Sequence, residues 1–386
     1  MTEHISMNTV RRQALFWLGA VLVVCAFVYV FSSVLLPFFA GLALAYFLDP
    51  VADYLEKRGF SRMWATVTIL VTFLVLFVVA LFAVVPVLGR QIAEFVDSMP
   101  TYYANLRELL NSLIASAPWL GELLAEQNGE LGQSLNELLN QAAGVGAQVL
   151  GGIWSSANAV LSILGLLVVT PVVAFYMLLD WDKMIATIDS WVPRNHLKDV
   201  RRIGREINEA IAGFVRGQGT VCLILAVFYG VALSVVGLNF GLLIGLIAGL
   251  ISFIPYVGSI VGLVLSVGVA IVQYWPDAAS VASDGYTGSL INIGIVAAIF
   301  FGGQLVEGNI LQPKLVGESV GLHPVWLMFA LFAFGSLLGF TGMLIAVPAA
   351  AAVGVLVRFA LERYLGSDLY MGHGTADVPD RDNEAA

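Results

Sequence analysis

Long stretches without a single charged side chain constrain this chain more than any other feature. Ala14–Leu36, Trp64–Leu88, Ile153–Leu179 and Gly219–Gly237 hold no Asp, Glu, Lys or Arg, and neither do the longer runs Leu238–Pro276 and His323–Val357. A helix needs about 20 apolar residues to cross a hydrocarbon core of ~30 Å. Backbone amides in lipid must be satisfied internally, and the alternation of a β-barrel is absent, so the runs read as helices. Composition agrees, with 59% hydrophobic and 12% charged residues. The expected fold is all-α, a polytopic membrane helical bundle of about 8–10 membrane segments that include re-entrant or broken hairpins.

Arg11 and Arg12 precede an apolar run longer than a signal-peptide core, with no small-x-small cleavage site after it, so Ala14–Leu36 reads as a retained first helix. Cys25 and Cys222 both lie in apolar runs, and His4, His196, His323 and His373 are scattered. Neither a disulfide framework nor a metal site is expected. Without a Walker loop, ATP-driven pumping is not expected either, nor is enzymatic activity or a cofactor.

Sidedness follows from the basic residues. With the N-terminus inside, 16 of the 18 Lys and Arg fall on the inner side, and only Arg90 and Arg107 lie outside. That is the bias expected of cytoplasmic loops. The outer segments carry Glu94, Asp97, Glu108, Glu122, Glu126, Glu130, Glu137, Asp277 and Asp284. The net charge of −9 is therefore an acidic exterior and gives no sign of a nucleic-acid partner. Both termini come out cytoplasmic.

The chain divides into N-terminal membrane helices (1–88), an external amphipathic helical insertion (89–151), a membrane helix (152–181), a cytoplasmic amphipathic segment (182–216), a core with two hairpins (217–366) and a disordered tail (367–386). Ile92, Phe95, Val96, Met99 and Tyr103 recur at helical spacing in the insertion, and a second amphipathic helix is expected around Leu131–Ala142. Phe38–Leu48 is short between Pro37 and the Asp49-Pro50 break. Leu242–Tyr274 is interrupted at Pro255, and His323–Val357 must fold back around Gly339–Gly342.

Polar residues in apolar surroundings mark the candidate site. Gln304, Glu307, Asn309, Gln312 and Lys314 stand among Leu, Ile and Val, and Gly308, Pro313 and Gly317 punctuate them. A charge at the bilayer centre costs at least ~2.5 kcal/mol, so a broken segment lining a polar cavity is expected. Glu307 and Lys314 are seven apart and would share a face of one α-helix. The plainer alternative is an interfacial loop in which Glu307 is solvated. A second irregular element, Pro255–Gly258, would free carbonyls to coordinate a solute or ion, or would simply be a tight hairpin corner. Asp49, Asp180 and Gln218 sit at span ends, where interfacial capping competes with a site role. Sliding the chain by 84 residues aligns Gly258 with Gly342 and Ser252 with Ser336, a weak hint of an inverted repeat.

Several blocks then carry a resemblance. Phe175-Tyr176-Met177-Leu178-Leu179-Asp180, Arg216-Gly217-Gln218, Ile254-Pro255-Tyr256-Val257-Gly258, Gln304 through Lys314, and Leu322-His323-Pro324 resemble, in this order, the autoinducer-2 exporter family of bacterial membrane proteins. The resemblance implies a multi-pass permease of the bacterial inner (plasma) membrane that assembles as a homo-oligomer, a pentamer being one such assembly. It implies export of a small polar signalling molecule in some members and sodium/proton antiport in others. The first expectation is a secondary transporter exporting a small polar solute. Its pathway residues would be Gln304, Glu307, Asn309, Gln312, Pro313, Lys314, Pro255, Gly258 and Gln218, with Glu307 carrying a coupling proton if transport is proton-driven. A sodium/proton antiporter using the same carboxylate, and a non-transporting membrane scaffold that binds a partner through 89–151, are the alternatives.

Overall fold

The computed structural model describes residues 19, 23, 26–116, 157–274, 287–317, 321–367 and 370. The second amphipathic helix expected around Leu131–Ala142 lies outside them, and so does the tail beyond 370. Among the described residues every regular element is helical. Among these residues seven helices are long and apolar enough to cross a membrane, and Gly241–Ile251 is a shorter apolar helix.

The helices are α1 (Ser32–Lys57), α2 (Arg62–Ser116), α3 (Ala157–Trp191), α4 (Leu197–Val235), α5 (Gly241–Ile251), α6 (Val257–Tyr274), α7 (Thr287–Val306, continued by a π-helix over Glu307–Val316) and α8 (Pro324–Leu365). Phe38–Leu48 is no separate element, because α1 runs unbroken through Pro37 and Pro50. Proline removes one backbone donor at each of these positions, and the neighbouring turns continue the helix around the gap. At 55 residues, α2 is roughly 80 Å long at ~1.5 Å per residue, far more than a bilayer requires. The amphipathic stretch before Arg216 and the apolar stretch after it likewise belong to one 39-residue helix, α4.

Two compact units are present, one made of 1–181 with 216–317 and the other of 182–215 with 318–386. In the first, α1 turns into α2 at Gly59, whose φ of 97° closes bonds from Gly59 N to Glu56 O and from Phe60 N to Leu55 O. This Schellman arrangement favours glycine, which has no Cβ to oppose a positive φ. Ala45, Leu48, Ala52, Ile69, Ala174 and Leu178 then form a cluster between α1, α2 and α3.

The rest of the first unit packs around α4, whose Val221, Leu225, Tyr229 and Leu233 are buried. Small residues allow this. A Cβ on Gly249 would meet Ala226, one on Gly245 would meet Gly230, and one on Gly262 would meet Ala248 and Phe300. Lipid tails are as apolar as leucine, so helices here associate through close backbone approach, which glycine permits. Large apolar side chains accordingly stay on the outside, Phe82 and Val235 among them.

In the second unit α8 reverses direction at Gly339 (φ 61°, ψ −140°). A Cβ at Gly335 would lie 3.0 Å from Met343, and one at Gly342 would strike Phe334, so the two arms of α8 lie against each other. The expected fold-back within 339–342 is present, pivoting on the one residue type that adopts this backbone without strain. His323 caps the first arm, its Nδ1 accepting from Val325 N at 3.3 Å, and Pro324 takes the first helical position. The second arm meets the start of α4 through Arg202–Glu362 (2.8 Å) and Arg363–Asp199, and both guanidinium groups lie over the ring of Phe359.

Candidate functional site

Two glycines bring α4 against the end of α7. A Cβ on Gly217 would lie 2.7 Å from the carbonyl carbon of Leu315 and 2.9 Å from Val316 Cα, so backbone meets backbone there. A Cβ on Gly303 would lie 2.6 Å from the ring of Tyr229. Between these contacts α4 presents Gln218, Cys222, Leu225 and Tyr229, spaced by four, three and four residues and hence on one face.

Opposite that face α7 widens into a π-helix from Glu307 to Val316. It ends where Gly317, at φ 56°, donates its N–H to Gln312 O five residues back at 2.9 Å. Such wide turns are rare and concentrate at functional sites. On an α-helix Gln312 would point about 140° away from Glu307. The i→i+5 step instead brings it round to the same side, within side-chain hydrogen-bonding reach of the carboxylate. Gln304, one turn earlier, donates from Nε2 to Glu307 Oε2 at 3.0 Å.

A hydrogen-bond network joins the two helices. Gln304 Nε2 also donates to the Tyr229 hydroxyl at 3.2 Å, and that hydroxyl donates to Phe300 O at 3.3 Å. The Tyr229 ring stacks on Phe300 with centroids 5.2 Å apart. Further along, Gln312 Nε2 donates to Gln218 Oε1 at 3.2 Å, and Gln218 Nε2 donates to Ser252 O at 2.6 Å. Gln218 and Tyr229 are each only 1% exposed, while Gln304, Glu307 and Gln312 are half-buried.

The remaining candidates separate. Pro255 and Gly258 form the corner between α5 and α6 and touch the network through Ser252. A Cβ on Gly258 would strike Ser252, α5 ends at Ile251, and Pro255 has no N–H, which leaves the Ser252 carbonyl open to Gln218. Asn309 is exposed and donates to Leu305 O within its own helix at 2.9 Å. Pro313 and Lys314 are exposed as well, and among the described residues neither Lys314 nor any other Lys or Arg forms an ion pair with Glu307. The expected shared face of Glu307 and Lys314 assumed α-helical spacing, which the wider turn abolishes. Gln218 is no helix-end cap, because α4 continues for more than four turns beyond it.

Tyr229 was not anticipated from the sequence. Its signal was a side chain with a polar tip, on the face of α4 that already carries Gln218, inside an uncharged run where that tip needs a partner. Asp49 belongs to a separate cluster at the end of α1. It accepts from Arg62 at 2.9 Å and from Arg216 at 3.0 Å, and Arg62 also reaches Asp53, Glu56 and the carbonyl of Leu178. Among the described residues no three His, Cys, Asp or Glu side chains gather to ligate a metal.

Sequence comparison adds a lineage to this geometry. The family model of AI-2E family transporters matches residues 18–362. YrrI of Bacillus subtilis, named as a transport protein, is 29% identical over 359 residues, covering 89% of this chain and 96% of its own. PerM of Escherichia coli, named as a permease, is 26% identical over 331 residues, covering 86% and 88%. Neither name states what is carried.

Proposed function

The chain belongs to the AI-2E transporter family, a premise from which we propose that its solute pathway runs along the face of α7 carrying Gln304, Glu307 and Gln312, opposite Gln218 of α4. One observation carries this reading. A carboxylate within an apolar candidate span is flanked by glutamine side chains and has no cationic partner among the described residues. Isolated ionisable groups at such depth are costly and mark solute or proton routes. The cargo we infer is a small polar solute such as autoinducer-2, moved outward, with Glu307 exchanging a proton when transport is coupled to a gradient. The setting we infer is the bacterial plasma membrane, with both termini cytoplasmic and several copies of the chain in a homo-oligomer.

Autoinducer-2 uptake into proteoliposomes under an imposed pH gradient tests this, with wild type and Glu307→Gln side by side. Gradient-dependent uptake that disappears in Glu307→Gln supports both cargo and carboxylate. Absence of uptake by folded wild type removes this cargo and brings forward the second reading, sodium/proton exchange at the same carboxylate. That reading rests on the same unpaired carboxylate, since one such group can hold either ion, and it requires sodium and protons to compete.

A further inference from the structure

Hydrogen-bond direction across the network is determined by its two ends. Phe300 O and Ser252 O are carbonyl oxygens, which only accept. The single proton of the Tyr229 hydroxyl points at Phe300 O, so its oxygen is left to accept from Gln304. Gln304 must then turn its NH₂ toward Tyr229, and the same NH₂ supplies the proton bound by Glu307 Oε2. At the other end Gln218 gives its NH₂ to Ser252 O, so its carbonyl oxygen receives the NH₂ of Gln312. Gln304 thus spends both its N–H groups inside the protein, and Gln312 spends one on Gln218 and has the other within reach of Glu307. What remains unspent on that face is the carbonyl oxygen of Gln304, that of Gln312 and the lone pairs of Glu307 not taken by the two glutamines, all of them acceptors.

We propose that Tyr229 is a positioning residue that sets this polarity, so that the site takes a solute presenting hydrogen-bond donors or a bare cation, and turns away anions. This rests on the reading of the α7 face as the solute pathway. Tyr229 acts through Gln304 and touches no cargo itself. Its ring is held by the stack on Phe300 and by Gly303, so the hydroxyl returns to one place. Without that hydroxyl only the Glu307 carboxylate holds the orientation of the Gln304 amide, and a half-turn rotation, opposed by one bond in place of two, would replace an acceptor by a donor on the cargo side and withdraw a donor from Glu307.

The test uses the full-length protein in lipid nanodiscs and reads thermal stabilisation by three probes: ribitol as a neutral hydroxylated solute, sodium as a cation and inorganic phosphate as an anion. A bound ligand raises stability in proportion to the logarithm of its occupancy, whatever the transport cycle does. Only stabilisation that disappears in Glu307→Gln is counted, which removes general salt and osmolyte effects. Wild type is expected to respond to ribitol or to sodium and not to phosphate, and whichever responds tells a hydrogen-bond-donating solute from a bare cation. Tyr229→Phe keeps the stacked ring and should melt close to wild type without ligand. Its affinity for the responding probe should fall about tenfold, the scale of one misdirected hydrogen bond. Comparable stabilisation by phosphate, no response to ribitol or sodium, or a Tyr229→Phe profile identical to wild type would each overturn the proposal. Binding with this selectivity but without flux in proteoliposomes would sink the pathway reading and leave the polarity standing. Flux with unaltered selectivity in Tyr229→Phe would do the reverse.

Discussion

Replacing Gly217 by Ala tests the contact on which the candidate site depends, and Gly204 on the same helix supplies its control. Both glycines lie inside α4, where alanine is favoured over glycine by about 1 kcal/mol through backbone entropy alone. At Gly204 nothing stands within 4 Å of the added Cβ, so that gain should appear undiminished. At Gly217 the Cβ would lie 2.7 Å from the Leu315 carbonyl carbon and 2.9 Å from Val316 Cα, which are backbone atoms with no rotamer to escape into. Relieving the overlap means moving the π-helix away from α4, at a cost of about 1–3 kcal/mol for overpacking. The same movement opens the 3.2 Å bond from Gln312 to Gln218 and leaves the buried Gln218 oxygen without its donor, a further ~1–3 kcal/mol. After the helix-propensity gain, Gly217→Ala should lose about 1–5 kcal/mol and Gly204→Ala should gain up to about 1 kcal/mol. Thermal unfolding of the two variants in the same nanodiscs measures the difference, with wild type between them. If both variants melt together, or Gly217→Ala melts above wild type, the close approach of α4 to α7 is not what holds the site.

Other consequences are simpler to state. Arg62→Gln leaves Asp49, Asp53 and Glu56 facing one another without the guanidinium that joins them. A loss of about 1–2 kcal/mol in unfolding experiments is expected, reduced by the partial exposure of these groups and smaller still in high salt. An effect independent of ionic strength would contradict an electrostatic origin. Gly339→Ala adds a side chain into open space but forces an L-residue to φ 61°, ψ −140°, so a cost of about 1–3 kcal/mol should arise from backbone strain alone. Unfolding that matches wild type would show that the reversal of α8 does not depend on this conformation.

Legibility in the sequence tracked the range of the interaction responsible. Apolar runs announce membrane helices because each must satisfy its own backbone and face lipid, which is a property of the segment alone. The reversal at Gly339 was readable for the same reason, since a run of that length cannot remain one helix in a bilayer. Continuity was less readable. Pro37 and Pro50 suggested breaks that α1 does not have, because a missing donor is tolerated where neighbouring turns close around it.

The sequence by itself determined that this is a polytopic helical membrane protein, which family it belongs to, and that Gln304, Glu307 and Gln312 stand in an apolar setting where polar groups need a reason. Only the tertiary structure decided which of those groups meet. The π-helical turn replaces the Glu307–Lys314 face with a Glu307–Gln312 face, a change of pitch that no residue pattern declares. The approach of α4 and α7 at Gly217 and Gly303 then brings Gln218 and Tyr229 to that face, to partners 94 and 75 residues away in the chain, an approach that a side chain on either glycine would block.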